Sequence, residues 1–367
     1  MAELHAGTMP GAPLGWYSAS REDLAALLAG EPAYRVRQVW DGLYRRLTPP
    51  DAMTELPGAL RAQLAVALVP QLTLRRETPA DGGATRKWLF ELQDGATIET
   101  VLMAAGARTT VCVSSQAGCA MACQFCATGQ AGFVRHLDPG EIVEQVARAM
   151  AASRPRRLTN VVFMGMGEPL AAFDRTWAAL ERIVGDLGLS PRRLTLSTVG
   201  VVPGIRRLAE TGLPLTLAVS LHAADDELRS QLVPLNRRYP LAALLEACEF
   251  WVARTGRRLS FEWALIDQVN DRPQDAKRLA GIARRLKAHV NLIPLNPTPG
   301  YPATGSPPQR VRRFRDDLVA RGVNVTVRVT RGRQASAACG QLATLERRRD
   351  SRNLHSIVTG RSGTMGV

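Results

Sequence analysis

Apolar, β-branched runs alternate with helical patterns along the chain from residue 110 onward. The strand-like runs cover residues 110–113, 159–164, 194–197, 215–220, 259–266, 289–293 and 323–329. Between them, the helical spacing of apolar side chains is clearest at 175–187, 241–254 and 275–286. Strands that alternate with helices form parallel sheets with right-handed crossovers. We therefore predict an α/β fold, a partial TIM-like (βα)6 barrel over residues 110–342, with its chemistry at the carboxyl ends of the strands.

The region before the barrel has a helical period. Apolar side chains recur at helical spacing from Val36 to Tyr44 with arginines between them, and Ser20 with Asp23 forms a candidate capping box. This pattern predicts a small helical accessory domain over 21–84 with a basic face. Such a face is either an RNA-binding surface or a solvated surface without a ligand.

A β-hairpin is predicted between this domain and the barrel. Strand patterns at 85–92 and 97–103 flank Asp94-Gly95, a dipeptide that favours a tight turn. The second strand carries Glu99, a single acid in an otherwise apolar run, and such an acid usually faces water. We assign residues 85–109 to a hairpin extension that carries Glu99.

The two ends of the chain lack these patterns. Residues 1–20 are rich in Gly, Ala, Pro and Ser, and residues 343–367 combine a basic run with a Gly/Ser tail. We predict that both segments are disordered, and that the tail is basic enough to contact RNA.

Composition and charge narrow the class of protein. Hydrophobic residues make up 46% of the chain and charged residues 22%, as in a globular protein. No apolar run approaches the roughly 20 residues that span a bilayer, and no signal-peptide pattern is present. We therefore expect a cytoplasmic protein that does not associate with a membrane. The formal net charge is +14, and although GC-rich coding favours arginine over lysine, the excess of cations over acids favours a polyanionic partner such as RNA or DNA.

Three cysteines follow the first barrel strand in a C-x3-C-x2-C spacing: Cys119, Cys123 and Cys126. Three thiolates on one loop can bind three irons of a [4Fe-4S] cluster and leave the fourth iron open, which is what S-adenosylmethionine needs for chelation. A disulfide does not suit a cytosolic chain, because cytosolic thiols are kept reduced. A structural zinc site normally closes four ligands in paired spacings, and the remaining cysteines form no second pair. We therefore predict an open [4Fe-4S] cluster.

Polar or glycine-rich residues end several of the other strands. Because the carboxyl ends of parallel strands share one rim, these residues would lie beside the cysteine loop and contact the cofactor. Each of them alone is more often a turn or cap residue. They are Gly167, Glu168, Ser197, Ser220, Leu221, His222 and Asn296.

Three further cysteines lie outside this spacing. Cys248 falls in an apolar helical pattern and is expected in the core. Cys112 is on the first barrel strand, and Cys339 follows the last strand in a segment of small residues. From the residues alone, both would be inert thiols.

Six motifs, taken in order, resemble a known family. They are CVSSQAGCAMACQFCATG, VVFMGMGEPL, STVGVVP, SLHA, NLIPLNPTPG and AACGQL, and the resemblance covers about residues 31–342. The chain resembles the radical S-adenosylmethionine RNA methyltransferases of the RlmN type. At 333–336 it reads Arg-Gln-Ala-Ser, where many relatives carry acidic residues and an isoleucine.

The resemblance implies a radical barrel enzyme that methylates carbon 2 of adenosine in 23S rRNA and in certain tRNAs. One S-adenosylmethionine would methylate Cys339, and a second would be cleaved at the cluster to a radical that takes hydrogen from the new S-methyl group. The thiomethylene radical would then add to adenine. Glu99 would remove the ring proton, and Cys112 would release the product by forming a transient disulfide with Cys339.

The same resemblance implies cofactors and partners. One [4Fe-4S] cluster would be held by the three loop cysteines, and seven residues would contact S-adenosylmethionine: Gly167, Glu168, Ser197, Ser220, Leu221, His222 and Asn296. The protein would act as a monomer on 23S rRNA and tRNA, with an electron donor such as flavodoxin or ferredoxin. Two alternatives stay open: a related methyltransferase that modifies adenosine carbon 8 in 23S rRNA and confers antibiotic resistance, and a non-catalytic iron-sulfur module that binds RNA.

Overall fold

The computed structural model describes residues 13–328, 332 and 335–342. The predicted disorder of residues 1–12 and of the basic tail 343–367 lies outside these residues. The described helices are α1 Arg21–Leu27, α2 Tyr34–Asp41, α3 Gly58–Ala67, α4 Ala127–Ala131, α5 Pro139–Ala152, α6 Phe173–Gly185, α7 Val202–Glu210, α8 Asp226–Leu232, α9 Leu241–Thr255, α10 Pro273–Arg285 and α11 Pro308–Ala320. No helix among them is both long enough and apolar enough to cross a bilayer.

The strands form one large sheet and two small ones. They are β1 Leu14–Gly15, β2 Leu68–Val69, β3 Leu72–Ala80, β4 Thr85–Leu92, β5 Thr97–Ala105, β6 Arg108–Cys112, β7 Gln116–Gly118, β8 Phe133–His136, β9 Asn160–Phe163, β10 Leu194–Thr198, β11 Thr216–Ser220, β12 Ser260–Leu265, β13 His289–Pro294 and β14 Asn324–Val327. The large sheet has the order β14-β13-β12-β11-β10-β9-β6-β5-β4-β3. Its strands from β6 to β14 pair in parallel, whereas β3, β4, β5 and β6 pair antiparallel.

The parallel part confirms the predicted partial barrel. Each of the six strands β6 and β9 to β13 is followed by at least one helix that leads back to the next parallel strand, which gives six βα units and ends at the seventh strand, β14. Two of the inner strands, β9 and β12, are buried on both faces, since every residue in them is buried. All carboxyl ends of these strands therefore point to one edge of the sheet, and the connections that follow them build the site.

Local sequence signals locate several helix starts. The predicted capping box forms at α1, where Ser20 Oγ accepts from the Asp23 amide at 3.0 Å and Asp23 Oδ2 accepts from the Ser20 amide at 2.8 Å. Asp138 and Glu141 form a second box at α5. The helical pattern from Val36 to Tyr44 is not one continuous α-helix, because α2 ends at Asp41 and continues as a π-helical turn.

Two predicted boundaries are wrong. Residues 13–20 are ordered, because β1 pairs with β2 and the buried Tyr17 hydroxyl donates to the Leu43 carbonyl at 3.2 Å. The accessory domain is not helical up to residue 84, since β3 leaves it and joins the large sheet. The predicted hairpin is present as β4 and β5, but it is part of an antiparallel extension of the barrel sheet that begins with β3.

Candidate active site

The three cysteines of the loop line one cavity at the carboxyl ends of the strands. Cys119, Cys123 and Cys126 all face it, on the segment between β7 and α4. The loop is held by its own backbone, because the Cys119 amide donates to Gly132 at 2.8 Å and the Cys126 amide donates to Cys123 at 3.2 Å. The spacing thus brings three sulfur atoms to a common space, as predicted.

This environment fits a metal cluster. Burial raises the pKa of Cys119 to about 12 and that of Cys123 well above its ordinary value, so an empty loop would keep these thiols neutral. Iron bound there would supply the positive charge that makes thiolates stable. Within the described part of the chain, no three Cys, His, Asp or Glu side chains converge as ligands of a single ion. Cysteines that each bind a different iron of a cube need not converge in that way.

The turn after β9 brings a carboxylate to the cavity. Gly167 has φ +102°, and a Cβ at this position would lie 2.7 Å from the Gln116 amide nitrogen, so only glycine fits. Glu168 follows, and its carboxylate accepts from the Val199 amide at 2.8 Å and from the Leu170 amide at 3.0 Å. Burial raises the pKa of Glu168 to about 7, although these hydrogen bonds oppose the shift. An approaching ammonium group would favour the ionised form.

His222 is a neutral hydrogen-bond donor at the cavity wall. Its Nδ1 accepts from the Ala264 amide at 3.0 Å, which assigns the proton of the neutral ring to Nε2. Burial lowers the pKa of His222 to about 3, and the Phe125 ring packs edge-on against the imidazole with centroids 4.8 Å apart. The ring therefore keeps one tautomer at physiological pH.

The remaining predicted cofactor contacts fall into two groups. Ser197, Ser220 and Asn296 line the cavity beside the cysteines. Leu221 does not; its side chain is fully buried and its amide donates to the Glu262 carbonyl on β12 at 3.1 Å. Leu221 therefore does not line the cavity, and its contact with the cofactor stays a prediction.

The segment with Cys339 closes the same cavity. Cys339 and Gly340 line it, and Cys339 is exposed. The cysteine loop anchors the segment, because the Ala127 amide donates to Gly340 at 2.8 Å and Thr128 Oγ1 donates to Leu342 at 2.5 Å. The carbonyl of Cys339 also accepts from Asn296 Nδ2 at 3.2 Å.

Two charged residues at this cavity were missed in the sequence. Arg328, just after β14, places Nη1 3.5 Å from Cys339 Sγ and 3.7 Å from Glu262 Oε2. The nearby Cys339 thiol contributes most to raising the pKa of Arg328. Glu262 Oε2 and Asn296 Oδ1 are buried and accept no hydrogen bond from the described residues, so both can accept one from a ligand. An acid inside the apolar strand β12 was the available signal for Glu262.

Cys112 and Glu99 lie behind the cavity wall. Cys112 is on β6, between Val101 of β5 and Val162 of β9. Burial raises its pKa to about 12; Cys339 adds to the shift and Arg328 opposes it. The three side chains thus lie within electrostatic range of one another.

Glu99 is buried, which corrects the expectation of a solvent-facing acid. Its side chain is 3% exposed, and its Oε1 lies 2.7 Å from Nζ of Lys87 on the adjacent strand β4. Lys87 Nζ also donates to the Ser336 carbonyl at 3.4 Å, which links Glu99 to the segment that carries Cys339. The sequence pattern did not single out Lys87.

Comparisons with known proteins agree with this arrangement. A model of the Radical SAM superfamily matches residues 113–280. The chain is 52% identical over 341 residues to a probable dual-specificity RNA methyltransferase RlmN of Salinispora tropica, covering 89% of this chain and 91% of that protein. A protein with the same description from Chloroflexus aurantiacus is 50% identical, covering 89% and 92%. A crystal structure of a radical SAM methyltransferase from Sphaerobacter thermophilus superposes with a TM-score of 0.87 at 49% identity, covering 90% of this chain and 99% of that one.

Proposed function

Because the chain belongs to the RlmN family of radical S-adenosylmethionine RNA methyltransferases, we propose that it methylates carbon 2 of adenosine in 23S rRNA and in tRNA, 3' of the anticodon. Carbon 2 of adenine is electron-poor and does not attack a sulfonium methyl group directly. A cluster held by the three loop cysteines, together with S-adenosylmethionine, would supply the radical chemistry that this carbon requires. An electron donor such as flavodoxin or ferredoxin would reduce the cluster in the cell, and the protein would work as a monomer.

The residues around the cofactor would bind and orient it. Glu168 would accept the ammonium of S-adenosylmethionine, and its burial would strengthen that contact. His222 would donate from Nε2, and the open acceptor Asn296 Oδ1 would take a hydrogen bond. Gly167, Ser197, Ser220 and Leu221 would complete the contacts.

Cys339 would carry the methyl group to the base. The observation that carries this proposal is the position of Cys339 Sγ at the cavity that the cluster cysteines also line. Arg328 Nη1 lies 3.5 Å from this sulfur, so a cation stands beside the group that would accept the methyl. Methylation of Cys339 and the later radical step would each use one S-adenosylmethionine, two per turnover.

Glu99 and Cys112 would complete the reaction. The ion pair with Lys87 supports an ionised Glu99, the form that can remove the proton from the adenine ring. Burial keeps Cys112 as a neutral thiol, protected from oxidants, until it attacks Cys339 and frees the methylated RNA. The resulting disulfide would then be reduced for the next cycle.

Nucleoside analysis tests the proposal. We expect reconstituted protein with reductant and S-adenosylmethionine to form 2-methyladenosine in 23S rRNA fragments and in tRNA, measured by mass spectrometry. Cys339→Ala should form none, and Cys112→Ala should accumulate a covalent protein-RNA adduct through Cys339. Cys248→Ala is the matched control, because this thiol is buried in α9 away from the cavity. Formation of 8-methyladenosine would refute the assignment of carbon 2, and turnover by Cys339→Ala would refute the mechanism.

A further inference from the structure

A second cavity is lined by five arginines. It has a volume of about 570 Å³, and the five are Arg45, Arg154, Arg156, Arg157 and Arg193. The other wall residues are apolar, glycine, Ser190 or Thr159, and neither Asp nor Glu lines the cavity. All five arginine side chains are exposed. The cavity therefore concentrates positive charge at one accessible place.

This cavity lies at the opposite end of the barrel from the active site. Arg154, Arg156 and Arg157 are in the connection from α5 to β9, and Arg193 directly precedes β10, so all four are at the amino ends of parallel strands. Arg45 reaches the cavity from the accessory domain. The active site follows the carboxyl ends of the same strands. A four-residue strand such as β9 separates the two ends by about 13 Å.

Backbone carbonyls position two of the five guanidinium groups without neutralising them. Arg154 Nη2 donates to the Arg46 carbonyl at 3.0 Å, and Arg156 Nη2 donates to the Gly106 carbonyl at 2.5 Å. An arginine has five N–H donors, so each of these side chains keeps others for a ligand. None of the five arginines forms an ion pair with a carboxylate of the described residues.

The carboxylate nearest in sequence to the cavity wall is engaged elsewhere. Asp186 precedes the wall residue Leu187, but its Oδ1 accepts from Trp40 Nε1 at 3.0 Å and lies 3.9 Å from Arg21. The charge of the five arginines is thus left for a ligand from outside the chain.

We propose that this five-arginine cavity binds phosphate groups of the substrate RNA backbone, away from the nucleotide in the active site. The planar guanidinium binds phosphate through two parallel hydrogen bonds, and several such groups in one place suit a chain of phosphates rather than a single carboxylate. The inference rests on RNA being the substrate, as in the proposed function, and not on which adenine carbon is methylated. A large folded RNA can contact both ends of the barrel, whereas a short hairpin held at the active site cannot.

The test compares two sets of three arginines in the reconstituted full-length protein. One variant carries Arg154→Gln, Arg156→Gln and Arg157→Gln. The control carries Arg312→Gln, Arg313→Gln and Arg321→Gln, which remove the same charge. These three arginines are exposed, lie on or just after α11, and are outside the cavity. Binding of a long folded RNA and of a short hairpin with the same target adenosine is measured as a function of salt concentration.

We expect the cavity variant to bind the long RNA at least about tenfold more weakly. The salt slope, which is the fall of the logarithm of the association constant with the logarithm of the salt concentration, should be lower by about 2 to 3, because each lost phosphate contact removes roughly 0.7 to 0.9 from it. Its affinity for the hairpin and its methylation of the hairpin should match those of the control. An unchanged slope with the long RNA, or an equal loss with the hairpin, would overturn the proposal. If the triple variant does not fold, Arg45→Gln with Arg193→Gln tests the other wall of the cavity by the same readouts.

Failure of the proposed function is visible separately. Methylation at another adenine carbon by the unmodified protein would refute the proposed chemistry, and it would leave the salt slopes unaffected. If the cavity binds inorganic phosphate but the salt slope for long RNA is the same in the cavity variant and the control, the cavity is a small-anion site. That result would also overturn the inference.

Discussion

Replacing Lys87 by methionine is expected to slow methylation at neutral pH and to spare it at higher pH. Lys87 Nζ lies 2.7 Å from Glu99 Oε1, and the two side chains are only 11% and 3% exposed. Removing one cation from a buried ion pair costs up to about 3–5 kcal/mol, because the carboxylate loses a charge that compensates it. At about 1.4 kcal/mol per factor of ten, even part of this loss moves the balance between ionised and protonated Glu99 about tenfold or more toward the protonated form.

In the proposed mechanism, a protonated Glu99 could not remove the proton from adenine. The single-turnover rate at neutral pH should therefore fall by about tenfold or more and should recover as the pH is raised. Lys87→Arg keeps the charge and should keep the pH profile. Lys87→Gln carries no charge but can still donate a hydrogen bond to the Ser336 carbonyl, so this variant distinguishes loss of the ion pair from loss of that hydrogen bond. A Lys87→Met protein with the unmodified pH profile, or with a loss that high pH does not restore, would refute this reasoning.

Two further predictions concern other buried carboxyl groups. Burial raises the pKa of Glu168 to about 7, and only the carboxylate form attracts an ammonium group, so the affinity for S-adenosylmethionine should fall about fivefold from pH 7 to pH 6 in equilibrium dialysis. The Glu168→Gln variant should bind weakly at both pH values. An affinity of the unmodified protein that does not change with pH would contradict the assignment. Glu144→Ala should lower the free energy of unfolding by about 3–5 kcal/mol in urea titrations, because Glu144 pairs with Arg148 at 2.7 Å and accepts a hydrogen bond from the Gln71 amide at 2.8 Å. A loss below about 1 kcal/mol would show that these two contacts are dispensable.

Local patterns predicted the parts of the fold that depend on neighbours in sequence. The capping box of α1 forms as expected, because it needs only residues three apart. The alternation of strands and helices predicted the barrel, since parallel strands require crossovers. The cysteine spacing likewise predicted a common cavity for Cys119, Cys123 and Cys126.

Contacts between distant segments could not be predicted from these patterns. A lone acid in a strand usually faces water, but Glu99 is buried because β4 brings Lys87 beside it and β6 continues the sheet on its other side. The same limit applies to Arg328, whose contacts with Cys339 and Glu262 join residues that are far apart in sequence. Such pairings are set by tertiary packing, which sequence periodicity does not encode.

The anchors of the Cys339 segment suit the two steps that the proposed mechanism gives to this thiol. Three elements hold the segment by hydrogen bonds to its backbone, from Lys87 on β4, Thr128 on α4 and Asn296 after β13. Each bond contributes only about 1 kcal/mol net, so one can break while the others keep the segment over the cavity. If Cys339 first accepts a methyl group and then delivers it to adenine, its sulfur must reach two partners in turn. Separate backbone anchors permit that movement around Cys339, whereas the buried side chain of Leu342, worth about 1.5–3 kcal/mol, keeps the end of the segment in place.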